Sequence, residues 1–102
     1  MPKFNFDKVE SVTACLKVLS NPDRLKILCV LSHTELSVLE IEKKTEILQP
    51  TLSQQLTVLR KAEMVTTRRS GKQIYYQMID PKLLKIMQTL YELYCAELND
   101  VD

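Results

Sequence analysis

Pro50-Thr51-Leu52-Ser53-Gln54-Gln55-Leu56-Thr57-Val58-Leu59-Arg60-Lys61, followed at once by Met64-Val65-Thr66-Thr67-Arg68-Arg69-Ser70-Gly71-Lys72-Gln73-Ile74-Tyr75-Tyr76-Gln77-Met78-Ile79, decides the fold. In the first part Leu52, Leu56 and Leu59 recur at i, i+4 and i+7, the spacing of one buried helix face. In the second part the period changes. Two runs rich in β-branched and aromatic residues flank Ser70-Gly71-Lys72-Gln73, where the chain's only glycine suits a turn that needs positive φ. A helix is therefore expected from Pro50 to about Ala62, then a β-hairpin over 64–79. Tyr75 and Tyr76 point to opposite faces of the hairpin, so one of them belongs to the core.

Upstream, Ser37-Val38-Leu39-Glu40 has the spacing of a capping box, with Leu36 and Ile41 placed as a hydrophobic staple. A short third helix is expected from Ser37 to about Thr45. Two short helices joined by a tight turn make a helix-turn-helix, and the hairpin after them makes a wing. Asn21-Pro22-Asp23 combines an N-cap residue, a proline suited to the first helical position and an acid at the positive end of the dipole. The second helix, from there to about Ser32, is apolar nearly all round, which predicts a central position with Cys29 on a buried face. The first helix spans about Phe6 to Leu19, with Val9, Val12, Leu16 and Leu19 on one side.

The last helix starts at Asp80-Pro81 and is expected to reach about Leu98. Its apolar residues cover an arc of roughly 200°, about twice what packing on one core requires. The surplus face wants a second partner, and another copy of the same helix is the simplest one. The expected fold is thus mainly α with one small β-hairpin. Four helices, the hairpin and a fifth helix form a winged helix-turn-helix, a homodimer through the first and last helices, with Leu83, Ile86, Leu90, Leu93 and Tyr94 at the interface.

All 102 residues read as one domain, with 45% hydrophobic and 26% charged content. No apolar run reaches membrane-span length, and the N-terminus lacks the apolar centre of a signal peptide, so a cytoplasmic protein is expected. Net charge is only +1, so the distribution matters more. Arg60, Lys61, Arg68, Arg69 and Lys72 cluster against Glu63 alone, after an acidic stretch from Glu35 to Glu46. On the fourth helix Thr51, Ser53, Gln54, Thr57 and Lys61 lie opposite the leucines, towards the end that enters a major groove. Gln54 suits adenine, while Arg60 and Lys61 suit phosphates, and Gln49 precedes the helix. Arg68, Arg69, Lys72 and Gln73 are expected at the wing tip, along the backbone or in the minor groove. The implied partner is double-stranded operator DNA, an inverted repeat for a two-fold dimer. No nucleophile with a nearby base, second histidine or glycine-rich phosphate loop points to an enzyme, and no cofactor is implied. A winged helix used only for protein–protein assembly is the alternative from another class.

With these elements placed, the chain resembles the ArsR/SmtB family of bacterial repressors over about Leu16 to Glu97. The resemblance rests on Leu19-Ser20-Asn21-Pro22-Asp23-Arg24-Leu25-Lys26-Ile27-Leu28, on Gln49-Pro50-Thr51-Leu52-Ser53-Gln54-Gln55-Leu56 and on Leu59-Arg60-Lys61-Ala62-Glu63-Met64-Val65. It implies a dimeric winged-helix repressor that leaves its operator when an inducer is sensed. The chain departs from the family in the turn before the recognition helix, where Glu46 and Leu48 replace the usual glycine and serine. Gln55 stands where relatives often have histidine.

The family's metal sites find no match. Ser37 and Leu39 occupy the places of one thiolate pair, and the last helix has no histidine for the other site. His33, the only histidine, sits near the end of the second helix. An inducer that is a metal, or some other ligand, stays open as an alternative, although no metal ligand set is assigned. The three cysteines, Cys15, Cys29 and Cys95, form no C-x-x-C motif. Taken alone, each is a small apolar residue or a thiol of unknown reactivity. The resemblance adds more. Ile27-Leu28-Cys29 and Leu93-Tyr94-Cys95 match the paired cysteines of the family's BigR/SqrR-like branch, whose members sense persulfides and related reactive sulfur. Carried over, Cys29 and Cys95 are the redox-sensing pair and join within one subunit through a disulfide or polysulfide. Cys15 has no counterpart and is assigned to structure.

Overall fold

Capping residues set where the helices begin. The computed structural model describes residue 3 and residues 5–96. A 3-10 turn, Phe6–Lys8, leads into α1 (Val9–Leu19) and α2 (Pro22–Leu31). Strand β1 (Leu36–Ser37), α3 (Val38–Thr45) and α4 (Thr51–Lys61) follow, then β2 (Thr66–Ser70), β3 (Gln73–Gln77) and α5 (Pro81–Tyr94). The Asn21 side chain accepts from the Arg24 N–H at 3.0 Å, ahead of Pro22. The capping box is complete. The Glu40 N–H donates to Ser37 Oγ at 3.2 Å, and the Ser37 N–H donates to Glu40 Oε1 at 2.9 Å. That second bond holds the Glu40 carboxyl below the usual carboxylate range. Asp80 caps α5 by accepting from the Lys82 N–H at 2.9 Å.

Two helices end on a residue in the left-handed region. Glu46, after α3, has φ +61°, and Glu63, after α4, has φ +60°. At α4 the Glu63 N–H reaches the Arg60 carbonyl and the Met64 N–H reaches the Leu59 carbonyl, both at 3.0 Å. This is the Schellman pattern, with a glutamate where glycine is usual. Met64 is consumed by that closure, so the strand begins at Thr66 rather than Met64.

The hairpin turns at Gly71, φ +63°, and its strands pair antiparallel with Arg68 opposite Tyr75 and Ser70 opposite Gln73. A third strand, β1, was not expected. It pairs Leu36 with Tyr76 and Ser37 with Tyr75, giving the sheet order β1-β3-β2. Two residues are too few to show a period in sequence.

The core gathers Ile27 and Leu28 of α2, Ile41 of α3, Leu52 and Leu59 of α4, and Val65, all fully buried. Each such side chain contributes about 1.5–3 kcal/mol relative to exposure. Tyr76 packs against this core. The all-round burial expected for α2 is corrected: Ile27, Leu28 and Leu31 form a single buried stripe, and Cys29 lies on the exposed side. The α1 face is also redistributed. Leu19 is buried, whereas Val9, Val12 and Leu16 remain exposed, and Val12 and Leu16 line a cleft of about 500 Å³ between α1 and α5. Glu97 and Leu98, assigned to the last helix, lie outside the described residues.

Candidate nucleic-acid interface and thiol groove

Burial of Leu52, Leu56 and Leu59 turns the opposite face of α4 to solvent. Ser53, Gln54, Thr57, Arg60 and Lys61 are all exposed there, and Thr51 is half-buried. Three polar groups are tied along the helix. Ser53 donates both its N–H (3.0 Å) and its hydroxyl (2.7 Å) to Gln49 Oε1, and the Thr57 hydroxyl donates to the Ser53 carbonyl at 2.9 Å. Gln49 thus caps α4 from outside, a role that proline cannot fill at the N-cap position. The Gln54 amide has no hydrogen-bond partner among the described residues, so both its donor and its acceptor are available to a base edge.

Arg24 received no role from sequence. Its Nε donates to the Val18 carbonyl at 2.7 Å, one terminal nitrogen to the Lys17 carbonyl at 3.3 Å, and the other to Gln55 Oε1 at 2.9 Å. One guanidinium thus joins the end of α1, the start of α2 and the inner flank of α4. Gln55 supplies the acceptor, which a neutral imidazole at that position would also offer.

On the wing, Arg69, Lys72 and Gln73 are exposed at or beside the turn. Arg68 does not gather with them. It lies mid-strand, and its guanidinium is engaged by the Glu35 carboxylate, with Nε donating at 2.8 and 3.0 Å and a terminal nitrogen in closer contact still. The same guanidinium sits 4.8 Å from the centre of the Tyr75 ring. These hydrogen bonds hold the Glu35 carboxyl below the usual carboxylate range. Sequence reasoning missed the pairing because the two residues are 33 positions apart.

The interface residues expected on α5 separate into two groups. Leu83 is buried in the monomer's own core, with Met87 beside it, and has little surface left for a partner. Ile86 and Leu90 are half-buried, while Leu93 (71%) and Tyr94 (75%) are exposed.

The thiols occupy the opposite end of α5 from its cap. Cys29 is exposed in the last turn of α2, and the Ser32 hydroxyl donates to its carbonyl at 2.6 Å. Cys95 is exposed immediately after α5, its N–H bonded to the Tyr91 carbonyl at 2.8 Å. Between the two helices runs a groove of about 380 Å³, lined by Cys29, Ser32, His33, Leu84, Met87, Gln88 and Tyr91. Partial burial pushes the Cys29 thiol pKa up, and the charge of a nearby Cys95 thiolate raises it further. Cys15 is half-buried and faces the α1–α5 cleft instead. All three are free thiols. Among the described residues, no three of His, Cys, Asp or Glu come together as a metal site, and no helix is long and apolar enough to cross a membrane.

Known proteins are similar to this chain in sequence and fold. Residues 21–67 match the family described as "Bacterial regulatory protein, arsR family". The chain is 46% identical to the biofilm growth-associated repressor of Agrobacterium fabrum over 87% of its own length and 76% of that protein's. It is 38% identical to the transcriptional activator HlyU of Vibrio cholerae, over 78% and 74%. Among solved structures, the transcriptional repressor BigR from Xylella fastidiosa superposes with a TM-score of 0.84 at 44% identity, covering 87% of this chain and 91% of that one. A structure of reduced HlyU from V. cholerae gives 0.83 at 34% identity, over 87% and 94%. These relatives are named as regulators of transcription, not as enzymes. The chain belongs to the ArsR family of bacterial regulatory proteins.

Proposed function

We propose that this protein is a dimeric, operator-binding transcriptional repressor whose DNA affinity is set by the Cys29–Cys95 dithiol reacting with persulfides. The observation that carries the sensing half is the meeting of two exposed thiols from distant parts of the chain. Cys29 lines the groove between α2 and α5, Cys95 follows the end of α5, and the charge of Cys95 contributes to raising the Cys29 pKa.

The chemistry balances with the persulfide as oxidant. A thiolate of the pair attacks the terminal sulfur of RSSH, the S–S bond breaks, and RS⁻ leaves, giving Cys–S–SH. The second thiolate then attacks the first cysteine's own Sγ, the bond to the outer sulfur breaks, and hydrosulfide departs, closing a disulfide. If the first cysteine takes up another sulfur before closure, the bridge keeps one more atom, each adding about 2 Å of reach.

On DNA, Gln54 reads a base edge, with Thr51, Ser53 and Thr57 beside it and Gln49 ordering the helix start. Arg60, Lys61, Arg69, Lys72 and Gln73 take phosphates or the minor groove. Two copies associate through Ile86, Leu90, Leu93 and Tyr94 with the exposed Val9, Val12 and Leu16 of α1, matching an inverted-repeat operator in the cytoplasm.

Intact-mass measurement after a persulfide donor, compared with peroxide, tests the sensor, followed by peptide mapping and operator titration. A Cys29–Cys95 cross-link, as a disulfide or with whole extra sulfur atoms in the bridge, together with weakened operator binding, is expected. Cysteines left uncross-linked, or a cross-link without change in affinity, would refute it.

A further inference from the structure

The Glu35–Arg68 pair spans the width of the sheet. Glu35 precedes β1, Arg68 lies on β2, and β3 runs between them in the order β1-β3-β2. Tyr75 of β3 is in register with both Ser37 and Arg68, and its ring lies under the guanidinium. The pair therefore straps the outer wing strand to the segment leaving α2, across the middle strand. Its side chains are 52% and 28% exposed. An exposed ion pair adds little to stability, whereas a forked arginine–carboxylate contact fixes geometry well.

Glu35 comes six residues after Cys29. Ser32 is bound to the Cys29 carbonyl through both its N–H, at 3.3 Å, and its hydroxyl. Only His33 and Thr34 lie between that cap and Glu35. A covalent bridge that draws the last turn of α2 towards the end of α5 has to drag this short segment. The segment is fastened to the wing at two places, the β1–β3 ladder and the strap. The strap is the one that reaches β2 and the turn carrying Arg69 and Lys72.

We infer that the Glu35–Arg68 strap is the link through which a bridge at Cys29 repositions the wing on DNA. This rests on the dithiol reading above and assigns it a route. Glu35 is then a positioning residue for the wing rather than a DNA contact, and Arg68 serves the strap in preference to phosphate.

Glu35→Gln keeps the shape and removes the charge while leaving Arg68 in place. Operator Kd is measured for reduced and persulfide-treated protein, wild type and variant, with cross-linking quantified by mass in each. The wild-type ratio of bridged to reduced Kd is expected in the range of about 5–150-fold, typical of coupled sites. In Glu35→Gln the same cross-link forms but the ratio falls several-fold towards one. The charge-swapped pair Glu35→Arg/Arg68→Glu recovers part of it. An undiminished ratio in Glu35→Gln, with the wild type responding, overturns the link alone. Tighter binding to all DNA, with a salt slope steeper by about 1, would instead make Glu35 a mask over a phosphate-binding arginine and also overturn it. A wild type that forms no bridge, or does not respond to one, removes the sensing reading and the link together.

Discussion

Glu46 stands at the C-terminal end of α3 with φ +61°, a backbone region that favours glycine. A left-handed backbone costs a residue with a Cβ about 1–2 kcal/mol. Replacing it by glycine removes that strain but loosens the unfolded chain, which costs about 0.4–1 kcal/mol. The midpoints of these ranges differ by about 0.8 kcal/mol, the amount by which Glu46→Gly is expected to stabilise the protein. For a domain of this size that is a rise in Tm of about 2–8 °C. Thermal denaturation at one fixed protein concentration is the assay, because association also shifts Tm. A second effect is separable. Glu46 is an exposed acid in the turn before the recognition helix, and its removal relieves repulsion from the DNA backbone. At 4 Å in water that repulsion is at most about 1 kcal/mol, about fivefold in Kd, and salt reduces it. Glu46→Gln keeps the strain and loses the charge, so it should tighten DNA binding without raising Tm. A Glu46→Gly protein that melts no higher than wild type would refute the strain argument. Equal DNA affinity in all three proteins would place that turn away from the phosphates.

Gln54→Ala should weaken specific operator binding by about 1–3 kcal/mol and leave nonspecific binding nearly intact, as titration against operator and scrambled duplexes will show. An equal loss on both would make Gln54 a backbone contact. Leu93→Glu, at a position 71% exposed, should fold normally yet sediment as a monomer; a persisting dimer would move the interface off α5. Glu35 and Glu40 both have carboxyl pKa values lowered in the folded state. Their stabilising contribution is complete above the unfolded value near 4.5 and is lost as pH falls through the lower folded values. Melting temperature should therefore drop on acidification in that window, and less steeply in the Glu35→Gln/Glu40→Gln protein.

Local signals were legible where one short stretch carries the whole physical cause. The Asn21 cap, the Ser37/Glu40 box, the Asp80-Pro81 start and the Gly71 turn each depend on a few neighbouring residues, and each formed as read. The leucine stripe of α4 needed only helical period. Features that depend on pairing across the chain were not legible. β1 exists because β3 offers it a ladder, and Arg68 leaves the wing tip because Glu35 reaches it across Tyr75. Apolar character also misled at Cys29. Helix α2 is apolar enough to suggest burial all round, yet in a domain this small its one buried stripe is satisfied by Ile27, Leu28 and Leu31, and the thiol faces out. That error bears directly on function, because a buried Cys29 could not meet a solute.

The exposed apolar residues give the proposed switch its mechanical setting. Val9, Val12 and Leu16 on α1, and Leu93 and Tyr94 on α5, leave apolar surface that a lone chain does not cover. Cys95 directly follows Leu93 and Tyr94, whereas Cys29 sits one residue from the fully buried Leu28. A bridge between them would tie the helix proposed to meet a second copy to the stripe that anchors the core. Sub-ångström adjustment is not the expected response, since packed cores and interfaces tend to hold one arrangement or another. The bridge would thus act on the spacing of the two recognition helices through α5 and on each wing through the segment after α2. Half-sites one helical turn apart tolerate little change in that spacing, so rearrangement at α5 and at the wing would both bear on operator affinity.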